Sequence, residues 1–146
     1  MAYMNQHKKA QIAANVTPVL RKYGLKGSLK VGHHSSIILT IRSGPIDFIG
    51  NCNKVCGSSH YQTSHGFRPI TQGYTDVNTY WYQEHFDGIA LDCLKELVPA
   101  MFSAGWYNRS DIQTDYFDVA YYVDIKIGRW DKPYQLIKDK VDALVD

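Results

Sequence analysis

The segment TDYFDVAYYVDIKIG, residues 114–128, alternates in character along nearly its whole length. Phe117, Val119, Tyr121, Val123, Ile125 and Ile127 fall on one side; Tyr116, Asp118, Ala120, Tyr122, Asp124 and Lys126 fall on the other. Successive side chains of a strand point to opposite faces, so the pattern predicts a long, half-buried β-strand that stops at Gly128. Such a strand needs partners for its backbone and a cover for its apolar face. GSLKVGHHSSIILTIRSGP supplies the partners. Leu29, Val31 and His33 alternate with Ser28, Lys30 and Gly32. After the HHSS connection, Ile37, Leu39 and Ile41 alternate with Ile38, Thr40 and Arg42. Period-two patterning on both sides of a tight turn predicts a β-hairpin, ended by Pro45, which cannot donate to a ladder.

The cover comes from helical periodicity. Ile12, Val16, Val19, Leu20 and Tyr23 share one face of an N-terminal helix, with a kink or break expected near Thr17-Pro18 and a stop at Gly24. DVNTYWYQEHF reads as helical with Asp76 as its cap. After Asp87 and Gly88, the residues Ala90, Cys93, Leu94, Leu97 and Met101 recur at helical spacing, with Pro99 shortening the end and Cys93 as a small buried hydrophobe. A last helix is expected from Asp131, with Tyr134, Ile137, Val141 and Leu144 as its stripe. Residues 50–75 are rich in Gly, Ser, Asn, Thr and Gln and read as a long polar loop. The fold class expected is therefore α+β: one domain over residues 1–146, its antiparallel sheet built from the N-terminal hairpin plus the long C-terminal strand and covered on one face by helices.

VGHHSSIILTIRSGPIDF resembles the hairpin of the large polyvalent-protein-associated domains, with two strands joined by a short Ser-rich link before a Gly-Pro stop. YFDVAYYVDIKIG resembles the later strand of small uncharacterised phage proteins with such a hairpin. The resemblance covers about a third of the chain and rests on structural patterning. It implies a phage or mobile-element setting and a suspected role in countering host defence, and it carries no catalytic residue onto these positions.

Composition narrows the setting. No apolar run approaches the length of a membrane span, and the N-terminus has no stretch suited to a secretory signal. Three cysteines, an odd number, fit a reducing compartment, so a cytoplasmic location is expected, that of the host cell if the chain is phage-encoded. The net charge of +2 hides an asymmetry, because no acid precedes Asp47. Lys8, Lys9, Arg21, Lys22, Lys26, Lys30 and Arg42 are candidates for phosphate contacts, against the simpler reading that the two halves satisfy each other's charge.

Cys52, Cys56, His60 and His65 offer four zinc-competent ligands, although the intervals are looser than in finger-type sites. A plain loop with free thiols is the simpler account, and zinc is the one cofactor the sequence suggests. His33 and His34 with Ser35 and Ser36 lack a nucleophile motif, and the serines suit a turn. Asp118 and Asp124 are too far apart along one strand for a shared metal. No catalytic residue is assigned. Tyr80, Trp81, Tyr82, Trp106, Tyr107 and Tyr122 are more aromatic surface than one modest core absorbs, so some are expected to meet a partner. Three functional readings result. The first is a small accessory protein that binds a host or phage protein, with homodimerisation open. The second is nucleic-acid binding through the basic N-terminal portion. The third is a metal-dependent hydrolase.

Overall fold

The computed structural model describes residues 2–59, 63–108 and 119–137. The elements in chain order are α1 (Gln6–Lys22), β1 (Lys26–Gly32), β2 (Ser36–Gly44), α2 (Phe48–Ser58), β3 (Thr75–Val77), α3 (Tyr82–His85), α4 (Gly88–Met101), β4 (Tyr122–Ile127) and β5 (Gln135–Leu136). The fold is α+β, and the hairpin shares a sheet with the C-terminal strand, in the order β1-β2-β4-β3 with β5 beside the end of β2. Hairpin pairing matches the expectation: β1 is antiparallel to β2, from Gly32↔Ser36 to Gly27↔Ile41. The join between β2 and β4 differs from it. Ser36–Ile41 runs parallel to Tyr122–Ile127, so the sheet is mixed. A parallel join needs a long crossover, and α2, β3, α3 and α4 all lie in the connection between the two strands.

Side-chain alternation then builds the core. Ile37, Leu39 and Ile41 on β2, and Ile125 and Ile127 on β4, are almost wholly buried, together with Val77 on β3. They form one cluster with Ile12, Val16 and Leu20 of α1 and with Ala90, Cys93, Leu94, Leu97, Val98 and Met101 of α4. Burying a large aliphatic side chain contributes about 1.5–3 kcal/mol, so this cluster is the main stabilising feature. The opposite face carries Ser28, Lys30, Ile38, Arg42, Tyr122, Asp124, Lys126 and Asp76, most of them wholly or partly accessible.

Several local expectations are corrected. α1 runs through Pro18, so of the two alternatives near Thr17 the break is removed. Pro18 and Ala14 are both on the exposed side, so the Ala14 carbonyl that loses its intrahelical donor can turn to water. Residues 50–58 are not loop but most of α2. Its composition is poor in helix formers, and tertiary ties hold it instead. Asp47 caps it through Gly50 N–H at 2.9 Å, Phe48 and Cys56 are buried, and Asn53 clamps Ile70 by accepting from its N–H (2.8 Å) and donating to its carbonyl (3.0 Å). Asp76 caps no helix; it lies in β3, antiparallel to β4. The chain turns at Asn78, whose side-chain oxygen accepts from Tyr80 and Trp81 N–H. Asp131 opens no helix over 131–137, where β5 forms instead, and the remainder of that expected helix lies outside the described residues. The C-terminal strand begins at Tyr122; Ala120 and Tyr121 are both buried, so alternation fails before it, and residues 109–118 lie outside the described residues.

The hairpin turn itself is strained. Ser35 N–H donates to Gly32 C=O at 3.1 Å, and the residues between, His33 and His34, have φ of 49° and 59°. The left-handed region costs an L-residue roughly 1–2 kcal/mol, and turns of this type favour Asn-Gly. Replacing the pair with Asn-Gly (H33N/H34G) should raise stability by about 1–2 kcal/mol, read as a higher urea midpoint with an unchanged slope.

Candidate functional site

The cations that were expected to act together are spread over the molecule. Lys8 donates to the Tyr3 carbonyl at 3.0 Å and lies over the Tyr3 and Tyr121 rings. Lys22 pairs with Glu96 at 3.0 Å, and the same carboxylate accepts from Tyr23 Oη. The two bonds hold Glu96 below the usual carboxylate range, the Tyr23 hydrogen bond contributing most. Charge from the acid-free half is thus partly matched by the acidic half. Lys9 and Arg21 lie on α1, and Lys30 on the open sheet face. Lys26 and Arg42 differ from the rest, because the fold brings them to one place.

That place is the end of the sheet where β2 and β4 finish and where β1 and β3 begin. The β1–β2 register shifts between Lys26 and Gly27, so Arg42 is the extra residue of a bulge, a feature that re-aims side chains. Lys26 and Arg42 line a groove of ≈ 620 Å³ with Ser43, Asp131, Lys132 and Gln135. A second groove of ≈ 480 Å³ lies on the β3–β4 side, lined by Tyr74, Asp76, Lys126, Arg129 and Trp130. The Arg129–Lys132 turn stands between them. It is closed by two reciprocal backbone bonds, Arg129 N–H to Lys132 C=O (2.9 Å) and Lys132 N–H to Arg129 C=O (3.2 Å). Its base is tied down at Gly128, whose N–H donates to Ile41 C=O at 2.9 Å. Gly128 has φ +70°, and a Cβ there would meet Tyr134 N at 2.5 Å and the Gly73 carbonyl at 2.7 Å, so only glycine fits.

Five cations meet two carboxylates across the two grooves. Lys126 pairs with Asp76 at 3.3 Å, and Arg129 with Asp131 at 3.2 Å. Both pairs are partly solvated, and such pairs contribute about 0–1 kcal/mol, so an incoming anion can displace either carboxylate at small cost. Lys26, Arg42 and Lys132 are exposed and make no ion pair among the described residues. Trp130, at the tip of the turn, is 77 % exposed. Trp130 counts among the surplus aromatics of the sequence, but Lys126, Arg129, Lys132 and Tyr74 escaped the sequence reading, because what joins them to Lys26 and Arg42 is strand order, which no local spacing signals.

The expected aromatic surface divides. Tyr80 (71 % exposed), Trp81 and Tyr122 are open, toward the other end of the sheet where β4 starts. Tyr82 is buried and belongs to the core. Trp106 packs edge-on against Phe102 at 4.9 Å and donates its indole N–H to Tyr121 C=O at 2.8 Å, and Tyr107 is partly buried against the same core. Tyr82 is thus a core residue, while Trp106 and Tyr107 are half-buried and packed against that core.

Of the proposed zinc ligands, Cys52 and Cys56 lie one turn apart on α2 with their sulfurs 3.9 Å from each other. His65 is exposed on the segment after α2, beside Ser64, and His60 lies outside the described residues. Among the described residues no three His, Cys, Asp or Glu side chains gather closely enough to hold a metal. Burial, reinforced by Cys56, pushes the Cys52 thiol up to about 12. A raised thiol value means that folding favours the protonated form. Its contribution to stability is present below the ordinary thiol range, near 8.5, and is lost as pH rises from there toward about 12. Among the described residues, no helix is long and apolar enough to cross a membrane.

Thiolate is the alkylated species, so native Cys52 should react with iodoacetamide at pH 8 at least about a hundredfold more slowly than in urea-unfolded chain, with the rate still climbing above pH 9. Peptide-resolved mass spectrometry of timed reactions measures this directly. Models of known protein families match no part of this chain, and no curated protein or solved structure matches it either.

Proposed function

We propose that this chain is a binding protein whose ligand is a phosphate-bearing polyanion, held at the sheet end around the Arg129–Lys132 turn. The observation that carries this reading is the gathering of Lys26, Arg42 and Lys132 in one groove and of Lys126 and Arg129 in the other, from three separate stretches of chain. A chain of net charge +2 with five cations at one end presents a directional field, and clustered Lys and Arg gain affinity for polyanions by releasing counterions. The reading keeps the nucleic-acid expectation but moves its centre from the whole N-terminal portion to Lys26 and Arg42 with three cations from the C-terminal part. The side chains gathered at this sheet end are cations, two paired acids and aromatics, the chemistry of holding an anion, so binding is preferred to hydrolysis. The phage or mobile-element setting implied by the hairpin resemblance is compatible with a small accessory protein of this kind.

Heparin-agarose at low salt tests the proposal. The chain should be retained and should elute as salt rises. In the K26Q/R42Q/K132Q variant, the slope of log affinity against log salt should fall by roughly 2–3. All three side chains are exposed, so the unfolding midpoint should move little. Flow-through of the parent chain at low salt would dismiss the reading.

A protein partner is the second reading, favoured by the exposure of Tyr80, Trp81 and Tyr122 at the far end of the sheet. Exposed aromatics of this kind are enriched at interfaces. If the occupant is a second copy, sedimentation should show a concentration-dependent dimer that the Y80S/W81S variant abolishes. A monomer at all concentrations removes homodimerisation.

A further inference from the structure

Resting on the polyanion reading, we infer that the ligand is a single-stranded nucleic acid that crosses the Arg129–Lys132 turn, with a base stacked on Trp130 and phosphates in the grooves on both sides. Three features carry this. Trp130 presents a large flat apolar surface to water, 77 % exposed, and no aromatic ring stacks on it among the described residues. The turn that holds it is closed by reciprocal backbone bonds and anchored at Gly128, so the indole is presented from a fixed base. Cations lie on both sides: Lys126 and Arg129, with Tyr74, in one groove, and Lys26, Arg42 and Lys132 in the other.

A ligand that uses all of this must be flexible enough to pass over a protruding turn and must carry repeated negative charge. It must also offer flat faces between those charges. Single strands meet each requirement, since their bases are unstacked and available to aromatic platforms while the backbone tracks a basic groove. A duplex keeps its bases stacked inside a stiff cylinder and offers the indole nothing but its groove edges. Heparin and inorganic polyphosphate carry the charge without the flat apolar faces. Asp76 and Asp131 pair with Lys126 and Arg129 across solvated gaps, so phosphate competes with a weakly held carboxylate for those two cations, while Lys26, Arg42 and Lys132 meet the strand without an ion pair among the described residues.

Fluorescence anisotropy with labelled dT12, rU12 and a 12-base-pair duplex, with heparin as competitor at fixed salt, tests the inference. The single strands should bind at least tenfold more tightly than the duplex; preference between dT12 and rU12 assigns DNA or RNA as the source. W130A should weaken single-strand binding roughly five- to hundredfold, the range of one lost stacking contact, while W130F retains most of it. The salt slope should be unchanged in W130A and reduced in K26Q/R42Q/K132Q, a split that a merely misfolded variant would not give. Circular dichroism and the urea midpoint of W130A check that the chain is still folded. Equal affinity for duplex and single strand, or a W130A variant that binds as the parent does, would overturn the stacked single strand and leave the polyanion site standing. Absence of binding to every polymer, heparin included, would overturn both.

Discussion

The rest of the structure depends on the burial of β2 between two neighbours of opposite sense. Its inward side chains, Ile37, Leu39 and Ile41, are fully buried, and its backbone is bonded to β1 on one side and to β4 on the other. An aliphatic side chain removed from the middle of this strand would leave a cavity next to α1 and α4 together, at a cost of about 2–5 kcal/mol for a change to alanine. The parallel join to β4 then dictates the remaining geography. It sends the chain away through α2, β3, α3 and α4 and returns it so that β4 ends beside the end of β2.

That return is what gathers the five cations. Because β2 and β4 finish at the same end, the residues that follow each of them, together with those that precede β1 and β3, converge there. Arg42 comes from a bulge near the end of β2, Lys26 from the first position of β1, and Lys126, Arg129 and Lys132 from β4 and the turn beyond it. Ligand sites at the carboxyl ends of parallel strands follow the same geometric logic, since loops there fan out over a common opening. The open sheet face continues from this end with Lys30, Asp124 and Tyr122, which mix both signs of charge with an exposed ring. The cations of the acid-free N-terminal portion are spread over the molecule, and Lys22 is matched to Glu96 across α1 and α4.

Where local chemistry was sufficient, the sequence was readable. The Leu29–Val31 and Ile37–Ile41 alternations set a half-buried hairpin, Pro45 ended it, and the Ala90–Met101 stripe marked α4 because a helix of fourteen residues samples its period several times. It was unreadable where structure is borrowed from neighbours. Phe48, Cys52, Val55 and Cys56 do recur at helical spacing, but the stripe is short and set among Gly, Asn and Ser, so it read as loop; Asp47, Asn53 and buried Phe48 and Cys56 hold α2 in place. Three residues of β3 are too few to show any period, so Asp76 read as a cap. Trp106 and Tyr82 read as surplus aromatics because composition cannot say how much ring one core will absorb.

By itself, the sequence determined that the chain is α+β, that its hairpin and its last strong strand each bury one face, and that Cys93 belongs to the core. These are one-dimensional properties, since the period of a pattern reports which side of a strand or helix avoids water. Tertiary structure alone decided that β2 and β4 run parallel, that the exposed aromatics divide between the two ends of the sheet, and that Lys26 and Arg42 meet Lys126, Arg129 and Lys132. Alternation is the same read forward or backward, so it is blind to strand direction. Only the path of the crossover, fixed by packing against α1 and α4, sets which loops share an end.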